Sequence, residues 1–141
     1  MQLLGEYRHT IDAKNRIFIP VKIRELLGES FIVTRKVVDN CIGLYSEYAW
    51  ERMAEKLNNQ PDSVVNALKK FIFSKSSRVT PDSQGRIVIP AELCSYAKLE
   101  KNAVVIGAGD HAQIWSEILW DEQEASIDFE EMTAILKEIG F

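Results

Sequence analysis

An arginine leads three apolar residues and a proline in two short runs that end alike, Arg16-Ile17-Phe18-Ile19-Pro20 and Arg86-Ile87-Val88-Ile89-Pro90. A β-branched run of this length predicts a strand. The proline then stops the ladder and suits the start of a helix. A polar segment precedes each run, Asp12-Ala13-Lys14-Asn15 or Asp82-Ser83-Gln84-Gly85, and each predicts a tight turn entered by a short strand. Aspartate at the first position can accept bonds from the turn's own N–H groups. Gly85 suits a positive φ at the fourth position, and Asn15 is the next-best residue there. Short helices are predicted after the prolines, Val21 to Leu27 closed by Gly28, and Ala91 to about Ala97. A strand pair follows each helix: residues 31–34 with 41–45, and 103–106 with 112–115. Ser46 and Ser116 predict N-caps, with Glu47 and Glu117 in first turns where the helix dipole favours acids.

These elements recur at an offset of seventy positions. Arg8, Thr10, Asp12, Arg16, Ile17, Ile19 and Pro20 meet Arg78, Thr80, Asp82, Arg86, Ile87, Ile89 and Pro90. Further on, Ser46, Glu47 and Trp50 meet Ser116, Glu117 and Trp120. The chain is therefore a tandem duplication. The expected organisation is a first unit over 5–50, a helical insert over 51–75, a second unit over 76–120 and an acidic amphipathic helix over 121–141. Each unit is too small to hold a core alone. Two copies can pair as a pseudo-dimer about an internal two-fold axis, which predicts a β-rich α+β fold. In the insert, Val64, Leu68, Phe71 and Ile72 form the predicted apolar stripe, broken from what precedes by Pro61. In the tail the stripe is Phe129, Met132, Leu136 and Ile139, expected to feed the core, with a subunit contact as the alternative.

Charge changes the picture of what the fold could bind. The chain of 141 residues carries a net −4. Residues 117–141 hold eight acids and one base, a net −7, which leaves +3 for residues 1–116. A basic patch on an acidic protein is feasible because screening limits each charge's reach to about 10 Å. Arg16 and Arg86 take the same place beside a turn, and arginine forks onto phosphate or onto guanine edges. Each also has an aspartate four residues away, so on chemistry alone a brace for the turn is the first reading of the same residues. Lys14 adds a base to the first turn where Gln84 is neutral, which predicts that the first unit contributes more to any DNA affinity.

An enzyme reading would set Asp12 and Asp82 as paired carboxylates with His9 as a base. His9 has Val79 as its counterpart, and no phosphate loop, metal-ligand cluster or nucleophile elbow stands in the sequence. We therefore expect no catalytic residue, metal, cofactor or small-molecule substrate. Cys41 and Cys94 are expected as reduced thiols. Without an apolar run of membrane length or a recognisable export signal, the expected setting is cytoplasmic. Trp50, Trp115 and Trp120 are expected as packing anchors, and His111 as a solvent-facing turn residue.

"GEYRHTIDAKNRIFIP" at 5–20, "FIFS" at 71–74, "DSQGRIVIP" at 82–90 and "LCSYAKLEKNAVVIGAGDHAQIWSE" at 93–117 together resemble the MraZ family over nearly the whole chain. The resemblance implies two tandem SpoVT-AbrB-type swapped-hairpin units, expected to close as a pseudo-two-fold β-barrel with flanking helices. It implies a bacterial transcriptional regulator, assembled in rings on the nucleoid. Such a regulator binds short direct repeats in double-stranded promoter DNA of the cell-division and cell-wall gene cluster. By position, the nucleic-acid contacts fall on Lys14, Asn15, Arg16 and Arg86, with Asp12, Asp82 and Gly85 shaping the turns. Where the family has glycine, this chain has Asn15, whose amide either crowds the DNA backbone or bonds to it. Swapped-hairpin folds also serve antitoxins, so a partner-binding scaffold is the alternative function.

Overall fold

The computed structural model describes residues 2–141. Its first unit runs β1 (Glu6–Thr10), β2 (Arg16–Phe18), α1 (Val21–Leu27), β3 (Phe31–Arg35) and β4 (Ile42–Ser46). Two helices follow, α2 (Glu47–Asn58) and α3 (Asp62–Phe73). The second unit repeats the order with β5 (Ser77–Val79), β6 (Arg86–Val88), α4 (Ala91–Tyr96), β7 (Asn102–Gly107) and β8 (Ala112–Ser116). It continues into α5 (Glu117–Ala125) and α6 (Phe129–Glu138).

The arms of each predicted hairpin do not pair with each other. β1 runs antiparallel to β7 of the other repeat, and β5 to β3. β2 and β6 pair only with one another. The main sheet therefore reads β1-β7-β8-β4-β3-β5, and the β2–β6 ribbon stands apart from it. A single core serves both units, with Ile17, Ile19, Phe31 and Leu44 packed beside Ile87, Ile89, Leu93 and Ile114. Exchange of strands is the physical answer to unit size: neither repeat owns enough apolar surface to close a core alone.

The expected barrel is not closed. β1 and β5 remain sheet edges among the described residues. Each strand of the ribbon is three residues long and runs toward a proline, Pro20 or Pro90, that has no N–H to extend a ladder.

The helix ends obey their caps. The Ser46 hydroxyl accepts from the Ala49 N–H at 3.1 Å, and the Ser116 hydroxyl from the Leu119 N–H at 3.0 Å. Pro20 and Pro90 stand at the cap position itself, one residue before each short helix. The insert is helical and broken at Pro61 as expected, but Val65 and Ile72 are its buried residues while Val64 is 71% exposed. The tail differs more. No residue of α6 is buried, and Phe129, Met132, Leu136 and Ile139 all face solvent. The expected core role of that stripe is overturned.

Candidate nucleic-acid interface

Ile17 and Ile87 are opposite each other in the ribbon and almost fully buried. Side chains alternate between faces of a strand, so the neighbouring positions Arg16, Phe18, Arg86 and Val88 share the outward face. Register places Arg16 across from Val88 and Phe18 across from Arg86. The two arginines thus stand on a diagonal, roughly 8 Å apart at Cα by strand spacing.

Each turn is locked by its aspartate. The Lys14 and Arg16 N–H groups both donate to Asp12 Oδ1 at 2.9 Å. Arg16 Nε donates to Asp12 Oδ2 at 2.6 Å. The second turn repeats this: the Gln84 and Arg86 N–H groups donate to Asp82 Oδ1 at 2.9 Å, and Arg86 Nε to Oδ2 at 3.0 Å. The turns also hold one another, since the Ile19 N–H donates to the Gly85 carbonyl and the Ile89 N–H to the Asn15 carbonyl. Backbone donation from Arg16 and Arg86 holds the two carboxyls below the ordinary aspartate range.

The brace and the fork prove compatible. Each arginine spends Nε on its aspartate. Among the described residues the terminal Nη groups of Arg16 and Arg86 have no protein hydrogen-bond partner. Lys14 is exposed on the first turn. Asn15 adopts φ 58° and Gly85 φ 78°, so both fourth positions take the left-handed conformation that the turn needs.

One base was missed by sequence reasoning. Arg24, on α1, donates from Nε to the Ile19 carbonyl at 2.8 Å and lies against the second turn. A Cβ added to Gly85 would sit 2.8 Å from its guanidinium carbon. The counterpart of Arg24 is Cys94, which makes the matching contact to the Ile89 carbonyl. The signal available was the repeat itself: the offset pairs a base with a neutral residue four positions after two matched prolines. Each turn therefore has two bases nearby, Lys14 and Arg16 at the first, Arg24 and Arg86 at the second. Arg24 comes from the first unit, so the bases near the two turns are equal in number although the units that supply them are not.

Arg8 and Arg78 belong to the scaffold. Arg8 reaches Glu6, Glu117 and Asp121, and Arg78 pairs with Glu47. Both ties join a strand of one repeat to a helix of the other. His9 packs edge-on against Phe18 with ring centroids 5.1 Å apart. His111 does not face solvent: its side chain is 12% exposed and stacks on Tyr45 at 4.9 Å. Trp115 is buried against Trp120, and Trp50 packs on Tyr45 and Phe73, as anchors should. Cys41 and Cys94 are free thiols, and burial pushes the Cys41 pKa up to about 12.

A family model described as "MraZ protein, putative antitoxin-like" matches residues 2–68 and again 72–138. The chain belongs to the MraZ family. Curated relatives named transcriptional regulator MraZ align almost end to end. The one from Clostridium tetani is 42% identical over 140 residues, covering 97% of this chain and 98% of its own. That of Alkaliphilus oremlandii is 41% identical over 141 residues, with coverage of 97% and 98%. That of a Thermoanaerobacter strain is 40% identical over 142 residues, covering 98% and 99%. The two family matches fall on the two repeats whose strands interleave, so the duplication and the family are one observation. No helix among the described residues is long and apolar enough to cross a membrane.

Proposed function

We propose that this chain is a DNA-binding transcriptional regulator. It reads short direct repeats in the promoter of the cell-division and cell-wall gene cluster, as a homo-oligomer whose subunits form a ring on the nucleoid. The observation that carries the reading is the outward face of the β2–β6 ribbon. It presents Arg16 and Arg86 with free Nη groups on a rigid, cross-bonded pair of turns. Two arginines whose Cα atoms stand roughly 8 Å apart fit within a major groove about 12 Å wide, and β-ribbons are known readers of that groove. Lys14 and Arg24 flank the pair and supply phosphate contacts. Asn15 lies between Lys14 and Arg16, and its amide is the group that would bond to the DNA backbone or crowd it. One such ribbon touches few bases, so specificity comes from several subunits engaging spaced repeats, each raising the effective concentration of the next. The relatives' name and the family match support a regulatory role.

The test is fluorescence anisotropy with a labelled duplex carrying the host's promoter repeats, comparing wild type with Arg16→Ala across salt concentrations. Wild type should bind that duplex well above a scrambled one, and the variant should lose the preference. Equal, weak binding by both proteins would refute the reading. The family description as antitoxin-like keeps one second reading, a partner-binding scaffold. A stoichiometric protein that co-purifies and competes with the duplex would favour it.

A further inference from the structure

The duplication leaves two equivalent grooves on the surface, and they differ in charge. The first, about 790 Å³, runs beside α2 and is bordered by Tyr45, Ala49, Arg52, Met53, Lys56 and Asp110. The second, about 450 Å³, runs beside α5, and its lining includes the positions seventy further on or back: Trp115, Leu119, Glu122, Gln123, Ser126 and Asn40. Arg52 is thus replaced by Glu122 and Lys56 by Ser126. The first groove also holds Lys36, which gives it three bases against one acid. Among the described residues, none of Lys36, Arg52 and Lys56 forms an ion pair with a carboxylate. Lys36 and Arg52 donate only to the hydroxyls of Tyr45 and Tyr48.

The tail is the complement of that groove. α6 is ten residues long, too short to be stable in water on its own. Its face of Phe129, Met132, Leu136 and Ile139 is exposed, between 47% and 76% at each residue. Asp128, Glu130, Glu131 and Glu138 surround that face against the single Lys137. An acidic amphipathic helix fits a basic groove floored by Ala49, Met53 and Tyr45.

We propose that α6 of one copy docks in the basic α2 groove of a neighbouring copy. Ser126 lines the acidic groove, so the tail leaves the fold there. The two grooves lie at opposite ends of the paired strands β4 and β8, one beside Tyr45 and the other beside Trp115. Five-residue strands separate those ends by about 17 Å, and no residue of α6 lines either groove. The contact joins different surfaces on the two partners, and contacts of that kind close into rings when the rotation permits. The inference rests on the self-association already proposed and names the surfaces that produce it.

The test is the mass of the full-length chain in solution by light scattering. Four samples are compared: wild type, Arg52→Glu/Lys56→Glu, Glu131→Lys/Glu138→Lys, and an equimolar mixture of the two variants. Wild type should be a multiple of the 16.1 kDa chain. Each double variant should fall toward the single-chain mass with an unchanged circular dichroism spectrum. The mixture should regain the assembly, because each reversed surface now meets a reversed partner. Leu136→Asp, on the exposed face of α6, should dissociate the assembly with the groove residues themselves unaltered. A single-chain wild type, variants that keep the wild-type mass, or a folded mixture that stays dissociated would each overturn the proposal. Anisotropy on the promoter duplex is read separately, so a failed docking result leaves the DNA-reading test intact.

Discussion

At the two turns the repeat is kept bond for bond. Asp12 and Asp82 accept the same three N–H groups, and the turns exchange one backbone bond each way. At the two grooves the same repeat has diverged, with Glu122 at the position of Arg52 and Ser126 at that of Lys56. The contrast follows from where each pair sits. The turns meet on the axis and depend on one another's carbonyls, so a change in one disturbs the other. The grooves lie at opposite ends of β4 and β8 and share no bond. Symmetry is required where the repeats touch, and only there can a duplex meet both copies at once.

The largest expected effect tests whether the centre is symmetric in energy as well as geometry. Ile17 and Ile87 are buried opposite each other at the ribbon. Truncation of a fully buried isoleucine costs about 2–5 kcal/mol, transfer and cavity together. Ile17→Ala and Ile87→Ala should fall in that range and agree closely with one another in urea unfolding. A large difference between them would break the comparison, since it would mean that one repeat carries the core.

Next is acid stability. The carboxyls of Asp12 and Asp82 are held below the ordinary aspartate range in the folded chain, mainly because the arginine backbone N–H donates to each. A depressed carboxylate stabilises the fold above its unfolded pKa, and that contribution fades as pH falls through the folded value. Wild type should lose stability as pH drops from about 4 downward. Asp12→Asn/Asp82→Asn should be less stable at neutral pH and flatter across that window. Thermal melts at a series of pH values read both, and each single variant should give about half the flattening.

A smaller effect comes from a point where the repeats differ in backbone. Gly28 ends α1 at φ 92°, and its counterpart, Lys98, holds φ 54° after α4. A side chain in this region carries strain that glycine escapes. Lys98→Gly should therefore stabilise by up to about 1 kcal/mol, and Gly28→Ala should destabilise by about as much or more. Opposite signs in one assay would show that the second unit tolerates strain that the first avoids.

Much of this was legible in the sequence because the signals are local. The β-branched runs, the turn residues and the serine caps each act within a few positions, and each appears where the pattern put it. The duplication showed that two units combine, and the interleaved pairing of β1 with β7 and β3 with β5 is how they do so. What the pattern could not show is where a ladder stops, so the open edges replaced a closed barrel. An apolar stripe reads the same whether its partner is the chain's own core or another molecule, which is why α6 was assigned inward. His111 was misplaced for a related reason: its stacking partner Tyr45 is distant in sequence. At the turns, Asp12, Asp82, Gly85, Asn15, Arg16 and Arg86 were found by spacing. Arg24 was not, because its approach to the second turn depends on how α1 packs.

The smallest expected effect concerns the two residues at the third turn position, Lys14 and Gln84. Read from sequence alone, the lysine makes the first unit the stronger DNA contact. With Arg24 of the first unit placed against the second turn, each turn has two bases nearby. The two views give different outcomes for variants that move one charge. A phosphate contact contributes about 0.9 to the slope of log affinity against log salt. If the balance holds, Lys14→Gln and Arg24→Gln should each lower the slope by about that amount per engaged ribbon. Gln84→Lys should raise it by a similar increment, since its side chain occupies the place that Lys14 has in the first turn. If instead Arg24→Gln leaves the slope unchanged while Lys14→Gln lowers it, Arg24 only covers the Gly85 backbone. The two turns, alike in every bond they make within the protein, would then be unlike in the bonds they make outside it.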